Sequence, residues 1–164
     1  MELPEDNQFY ARDEGGEGTV TCTGHAKAGT GNRVFVRVTS EDGRVREAAG
    51  RAGESGAYSV SVRIPAGLAR HRVEVGTRAG RAEQVFNVAT NVVCGDVFLV
   101  MGQSNAVATD FGKDEPPGPS PWVRSFGSMS GEPEPRVGWG EAVARGKGSE
   151  SFQVGYWALE LGRR

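Results

Sequence analysis

The chain of 164 residues is poor in the residues that most protein chemistry uses, with only two histidines, His25 and His71, and two cysteines, Cys22 and Cys94. Two cysteines are too few for a disulfide framework, and no metal-ligand cluster is spelled out. Both read most simply as small buried hydrophobes, Cys22 sharing the parity of Val20 in a strand. A Cys22–Cys94 bridge is the minor alternative, and the redox compartment stays open. Long hydrophobic runs are missing too: none approaches the ~18 residues of a membrane span. The opening Met1-Glu2-Leu3-Pro4-Glu5-Asp6 has no basic segment leading into an apolar core, so no signal peptide is expected in this stretch. The compartment is therefore undetermined, extracytoplasmic if the N-terminus is incomplete. An excess of one charge is also absent, with 19 basic and 21 acidic side chains and a net charge of −2. Residues 1–94 carry 12 of each sign. With no basic stripe, nucleic acid is not an expected partner, and neither is a membrane.

Glycine is what the chain has in quantity, 25 residues in 164, roughly twice the usual ~7%. That favours many turns and hence β structure. Residues 9–91 read as a succession of short strands. Thr19, Thr21 and Thr23 alternate with Val20 and Cys22, and Val34, Val36 and Val38 face away from Arg37 and Thr39. Tyr58, Val60, Val62 and Ile64 alternate with Ser59, Ser61 and Arg63, the clearest period of two in the chain. Val73 and Val75 follow, and Phe86 and Val88 close the set. Turns fall at Glu41-Asp42-Gly43-Arg44, Pro65-Ala66-Gly67 and Arg78-Ala79-Gly80. The pattern predicts two antiparallel sheets packed face to face, a β-sandwich over residues 1–91.

Residues 92–101 break this rhythm. Val97 to Met101 are five consecutive apolar residues, which reads as a strand covered on both faces, as inside a parallel sheet. Gly102, Gln103, Ser104 and Asn105 follow at once. A small hydroxyl at the carboxyl end of such a strand occupies the place where open α/β sheets keep their ligand sites. Ser104 is thus a candidate nucleophile, with Gly102 allowing a tight bend and Asn105 suited to a turn or helix cap. Ala106 to Phe111 would form a short helix, and residues 113–138, rich in proline, a long loop. There Trp122, Phe126 and Trp139 either pin the loop or form a sugar platform. A final helix capped by Ser149 or Ser151 would carry Val154, Trp157 and Leu161 on one face and Phe152, Tyr156 and Leu159 on another. Gly146-Lys147-Gly148-Ser149 lacks the upstream glycine spacing of a phosphate loop, and Gly102–Ala106 misses the final glycine of the nucleophile elbow.

The stretch Gly95-Asp96-Val97-Phe98-Leu99-Val100-Met101-Gly102-Gln103-Ser104-Asn105 resembles the first conserved block of the SGNH hydrolases. More narrowly it is similar to the sialate O-acetylesterase-like carbohydrate esterases. Residues 151–161, Ser-Phe-Gln-Val-Gly-Tyr-Trp-Ala-Leu-Glu-Leu, resemble the helix these enzymes place after the nucleophile loop. Leu3 to Phe9 look like the start of the β domain that precedes some members. The resemblance implies a β-sandwich followed by the start of a three-layer α/β/α domain, residues 92–164, that is truncated. It implies removal of acetyl groups from an acetylated carbohydrate by a serine esterase without a cofactor. Ser104 would be nucleophile and oxyanion N–H donor, and Gly102, Gln103 and Asn105 would shape its loop.

An esterase serine needs a general base and oxyanion donors. The family's later Gly, Asn and Asp-x-x-His blocks are not in these residues. His25, in a Gly-His-Ala turn, and His71, at a partly covered strand end, both belong to the sandwich. Asp96, Asp110 and Asp114 lie near Ser104 in sequence; Asp110 either touches a substrate or, more simply, is a solvated loop acid. The isolated chain is expected to be inactive, with a second polypeptide as one way of completing it. The alternative is a non-enzymatic sandwich that binds glycan or protein and carries an inert tail.

Overall fold

Alternating small β-branched residues make the first strands, and their alternation decides which sheet faces close on each other. The structure, a computed structural model, describes residues 1–26, 33–102, 118–127, 137–144 and 152–164. The chain divides into two units, Met1–Asp96 and Val97–Arg164. In the first, β1 (Phe9–Ala11), β7 (Ala82–Gly95), β6 (His71–Ala79), β3 (Arg33–Ser40) and β4 (Val45–Arg51) lie side by side in that order as one sheet. The second sheet is β2 (Glu17–His25) paired with β5 (Ala57–Pro65), in a register that sets Val20 opposite Val62 and Cys22 opposite Val60. The inward residues of both sheets form one buried cluster. Val20 and Cys22 come from β2, Val34, Val36 and Val38 from β3, Tyr58, Val60, Val62 and Ile64 from β5, and Val73 and Val75 from β6. Every one of these is an expected core position.

Two features depart from simple alternation. All pairings in the large sheet are antiparallel except β1 with β7, which run parallel, Phe9 beside Val93 and Ala11 beside Gly95. Also, Phe86 and Val88 are not core residues: they are 48% and 41% exposed, while Ala89, Val92, Val93 and Cys94 are buried. The reason is a bulge. Val75 pairs with Asn87 and Gly76 with Val85, so Phe86 is one residue too many and parity inverts beyond it. A second shift at Asn91, whose φ is 55°, brings Val92 opposite His71. Val92 to Cys94, assigned from sequence to the following domain, thus complete β7 and the first core. The turn glycines behave as expected, Gly43 and Gly80 adopting φ of 82° and 59°.

On the outer face of the large sheet Phe35 is wholly buried, although it points away from the core. The guanidinium groups of Arg37 and Arg78 cover its ring at 4.8 and 5.2 Å, and Glu47 and Glu83 tie those two arginines together. Gly76 makes room for this ring, since a Cβ there would lie 2.5 Å from Phe35 Cζ.

The second unit corrects several expectations. Val97 to Met101 do not form a strand covered on both faces: they join no sheet and are 60, 57, 83, 38 and 79% exposed. A doubly covered strand needs neighbours on both edges, and no described residue pairs with this segment. Within the expected loop, β8 (Arg124–Phe126) pairs antiparallel with β9 (Trp139–Glu141). The short β10 (Val143–Ala144) and β11 (Gln153–Val154) run parallel. Helix α1 (Tyr156–Arg163) starts from Gly155 with no side-chain cap and buries only Leu159, leaving Trp157 and Leu161 43% and 40% exposed. Ser149 and Ser151, and the helix expected at 106–111, lie outside the described residues.

Residues 1–96 expressed alone should melt cooperatively with a β-type circular dichroism spectrum. A 1–91 version loses three buried side chains and the partner of β1, and should be less stable by roughly 3–6 kcal/mol, measured by urea titration. Gly76→Ala should cost about 1–3 kcal/mol through overpacking against Phe35.

Candidate functional site

The Gly95–Asn105 block leaves the first unit from a fixed point. Gly95 is the last residue of β7, opposite Ala11, and its carbonyl accepts from Arg12 N at 2.9 Å. The Arg12 guanidinium then donates to both Asp96 oxygens at 2.7 and 3.1 Å. Asp96 is accordingly an ion-pair partner rather than a free acid beside the serine. Gly102 has φ 154°, which L side chains rarely adopt. Gln103, Ser104 and Asn105 lie outside the described residues, as do Asp110 and Asp114.

The histidines occupy different settings. His25 is exposed at the end of β2, which continues through the expected turn. His71 is only 2% exposed, so its strand end is covered far more completely than the sequence suggests. Its Nδ1 lies 2.9 Å from Ser40 Oγ, and its buried Nε2 makes no hydrogen bond of good geometry. Burial pushes the imidazole below its ordinary pKa of 6.5. The nearby Pro65 carbonyl and the Asp42 and Glu41 charges oppose this, and Arg46 reinforces it. In the neutral ring Nδ1 either accepts the Ser40 hydroxyl hydrogen or donates its own to Ser40 Oγ, according to the tautomer. The pair lies under a cavity of about 360 Å³ lined also by Glu41, Asp42, Arg44 and residues 65–69.

The pair was not legible beforehand. Ser40 ends β3 and His71 begins β6, and only the antiparallel register sets them side by side. Chemically it offers a neutral base hydrogen-bonded to a hydroxyl, nearly closed to solvent.

Among the described residues no group of three or more His, Cys, Asp or Glu is placed to hold a metal ion, and no helix is long and apolar enough to cross a membrane. Of the three aromatic residues in the expected loop, Phe126 and Trp139 meet edge to face at 5.0 Å, with Phe126 58% exposed. Trp122 is 37% exposed. The two cysteines are buried and unbridged. Burial, helped by the charge of Glu2, pushes the Cys22 thiol up to about 12, and burial also raises Cys94. Neither is a nucleophile at neutral pH. Comparison with protein-family models, curated proteins and solved structures finds no match to this chain.

Both thiols should therefore resist Ellman's reagent at pH 8 in the native chain and titrate as two after denaturation. Rapid native labelling of either would show that its strand opens readily.

Proposed function

We propose that the chain carries the nucleophile block of a carbohydrate O-acetylesterase of the sialate type, together with the β domain that precedes it. The observation that carries this reading is the Gly95–Asn105 block itself, in which an apolar run is followed in sequence by Gly102, with φ 154°, and then by Ser104. Two further features support it. The block begins where β7 ends, so a β-rich unit leads directly into it. Its apolar residues are also exposed, which leaves them open to the partner strands this reading requires.

In this reading Ser104 attacks an acetyl ester, and its own N–H is one oxyanion donor. Gln103 and Asn105 shape the loop with Gly102, and the finer fold of residues 92–164 is the start of a three-layer α/β/α domain. The general base and the remaining donors come from blocks not in this sequence, supplied by further chain or by a second polypeptide. Without a base the serine hydroxyl stays protonated and weakly nucleophilic. A second reading, a glycan- or protein-binding module with an inert tail, draws on the exposed Phe126 and Trp122.

The 164-residue chain should hydrolyse aryl acetates no faster than its own Ser104→Ala variant. Loss of the base in a triad enzyme costs about a million-fold in turnover. Fused in frame to the coding sequence that follows, it should gain acetylesterase activity that Ser104→Ala abolishes. Activity of the fusion that survives Ser104→Ala would overturn the role of Ser104, and a fusion without activity would leave the binding module.

A further inference from the structure

We infer that the Ser40–His71 cavity is an acid-opened joint, in which protonation of His71 releases the β3–β4 turn and the β5–β6 loop from each other. The cavity's floor and its rim differ in how their charges are held. The floor is the His71 ring, buried among Ser40 at the end of β3, Pro65 at the end of β5 and Val92 on β7. The rim is built from two arginine–carboxylate clasps. Glu41 accepts from Arg70 N at 3.0 Å and Arg70 Nε at 2.6 Å, and Glu41 N donates to the Arg70 carbonyl at 3.1 Å. Asp42 accepts from Arg44 N at 3.0 Å and Arg44 Nε at 2.6 Å. These bonds hold both carboxylates below their ordinary values, so the rim stays ionised well into acid. Asp42 raises the Arg44 guanidinium above its ordinary value, so Arg44 stays charged. Of the groups around the cavity, His71 alone changes charge just below neutrality.

Protonation upsets the floor. Both ring nitrogens become donors, so the Ser40 hydroxyl can only accept from Nδ1. Nε2, which has no well-formed bond, then carries a proton on a charged ring buried from water. The carboxylates of Glu41 and Asp42 offset part of that cost, but both are already committed to arginines. Water entering through the cavity relieves it, and the two loops that would part are short. The sign follows directly. The folded state binds the proton more weakly than the unfolded chain, so the closed form is favoured above about pH 6.5 and loses ground as pH falls towards the lowered native value. The joint bears on the neighbouring strand as well, since Gly67 N in the opening loop donates to the Cys94 carbonyl at 3.2 Å. Cys94 immediately precedes Gly95, where the nucleophile block begins.

Hydrogen exchange of the full chain between pH 7.5 and 5 tests this, with rates corrected for chemical exchange. Protection at the amides of Ser40, Glu41, Gly43, Gly67 and Arg70 should fall by up to about tenfold per pH unit, the limit for one proton. The core amides of Val62 and Val75 should hold theirs. His71→Gln should remove the pH dependence at the loop amides. An NMR titration of the wild-type His71 ring, which needs no variant, should give a pKa below 6.5. Equal loss of protection in loops and core, an unchanged pH response in His71→Gln, or a ring pKa at or above 6.5 would each overturn the proposal.

Discussion

Neither sheet of the first unit can hide its apolar face by itself, and nearly everything else in that unit follows from their closing on each other. The β2–β5 pair is only two strands wide, and alone it would leave Val20, Cys22, Val60, Val62 and Ile64 in water. Laid over β3, β6 and β7 it shares one core with them, and burial of that contiguous apolar surface is the dominant favourable term. Closure also dictates where strands begin and end. The row Ser40, His71 and Val92 runs across three strands, so the polar pair sits at the margin of the core, where a cavity meets buried side chains.

The outer face shows a different solution. Phe35 has no second sheet to cover it, and two arginines lie over its ring instead. Their planar guanidinium groups stack on an aromatic face while bonding to glutamates in the sheet plane. Glu83 is held below the ordinary carboxylate range by Arg37 and then Arg78. At the free edge of β7, the bulge at Phe86 interrupts the regular array of backbone donors and acceptors. Bulges of this kind discourage edge-to-edge pairing, and this one leaves Val85, Phe86 and Val88 exposed without making that edge a regular template.

The second unit is organised differently. Its described pieces are short: two strand pairs and one helix with a single buried residue. Close packing still occurs, for a Cβ on Gly140 would fall 2.2 Å from the Phe152 ring and one on Gly162 would fall 2.9 Å from Val123. The five exposed apolar residues before Gly102 pair with no described residue.

What the sequence by itself determined was local. Period-two alternation placed the inward residues of β2, β3, β5 and β6, because side chains on a pleated strand point to opposite faces whatever lies beyond them. Gly43 and Gly80 were legible because a turn needing positive φ selects glycine. Tertiary structure decided whatever depended on counting across strands. One extra residue at Phe86 moved the core of β7 from Phe86 and Val88 to Ala89 and Val92, and no single-strand pattern contains that extra residue. The pairing of Ser40 with His71, 31 residues apart, came from the register of β3 against β6. The fate of Val97 to Met101 was decided in the same way, because continuous hydrophobicity makes a strand only when other strands are present to take its backbone hydrogen bonds.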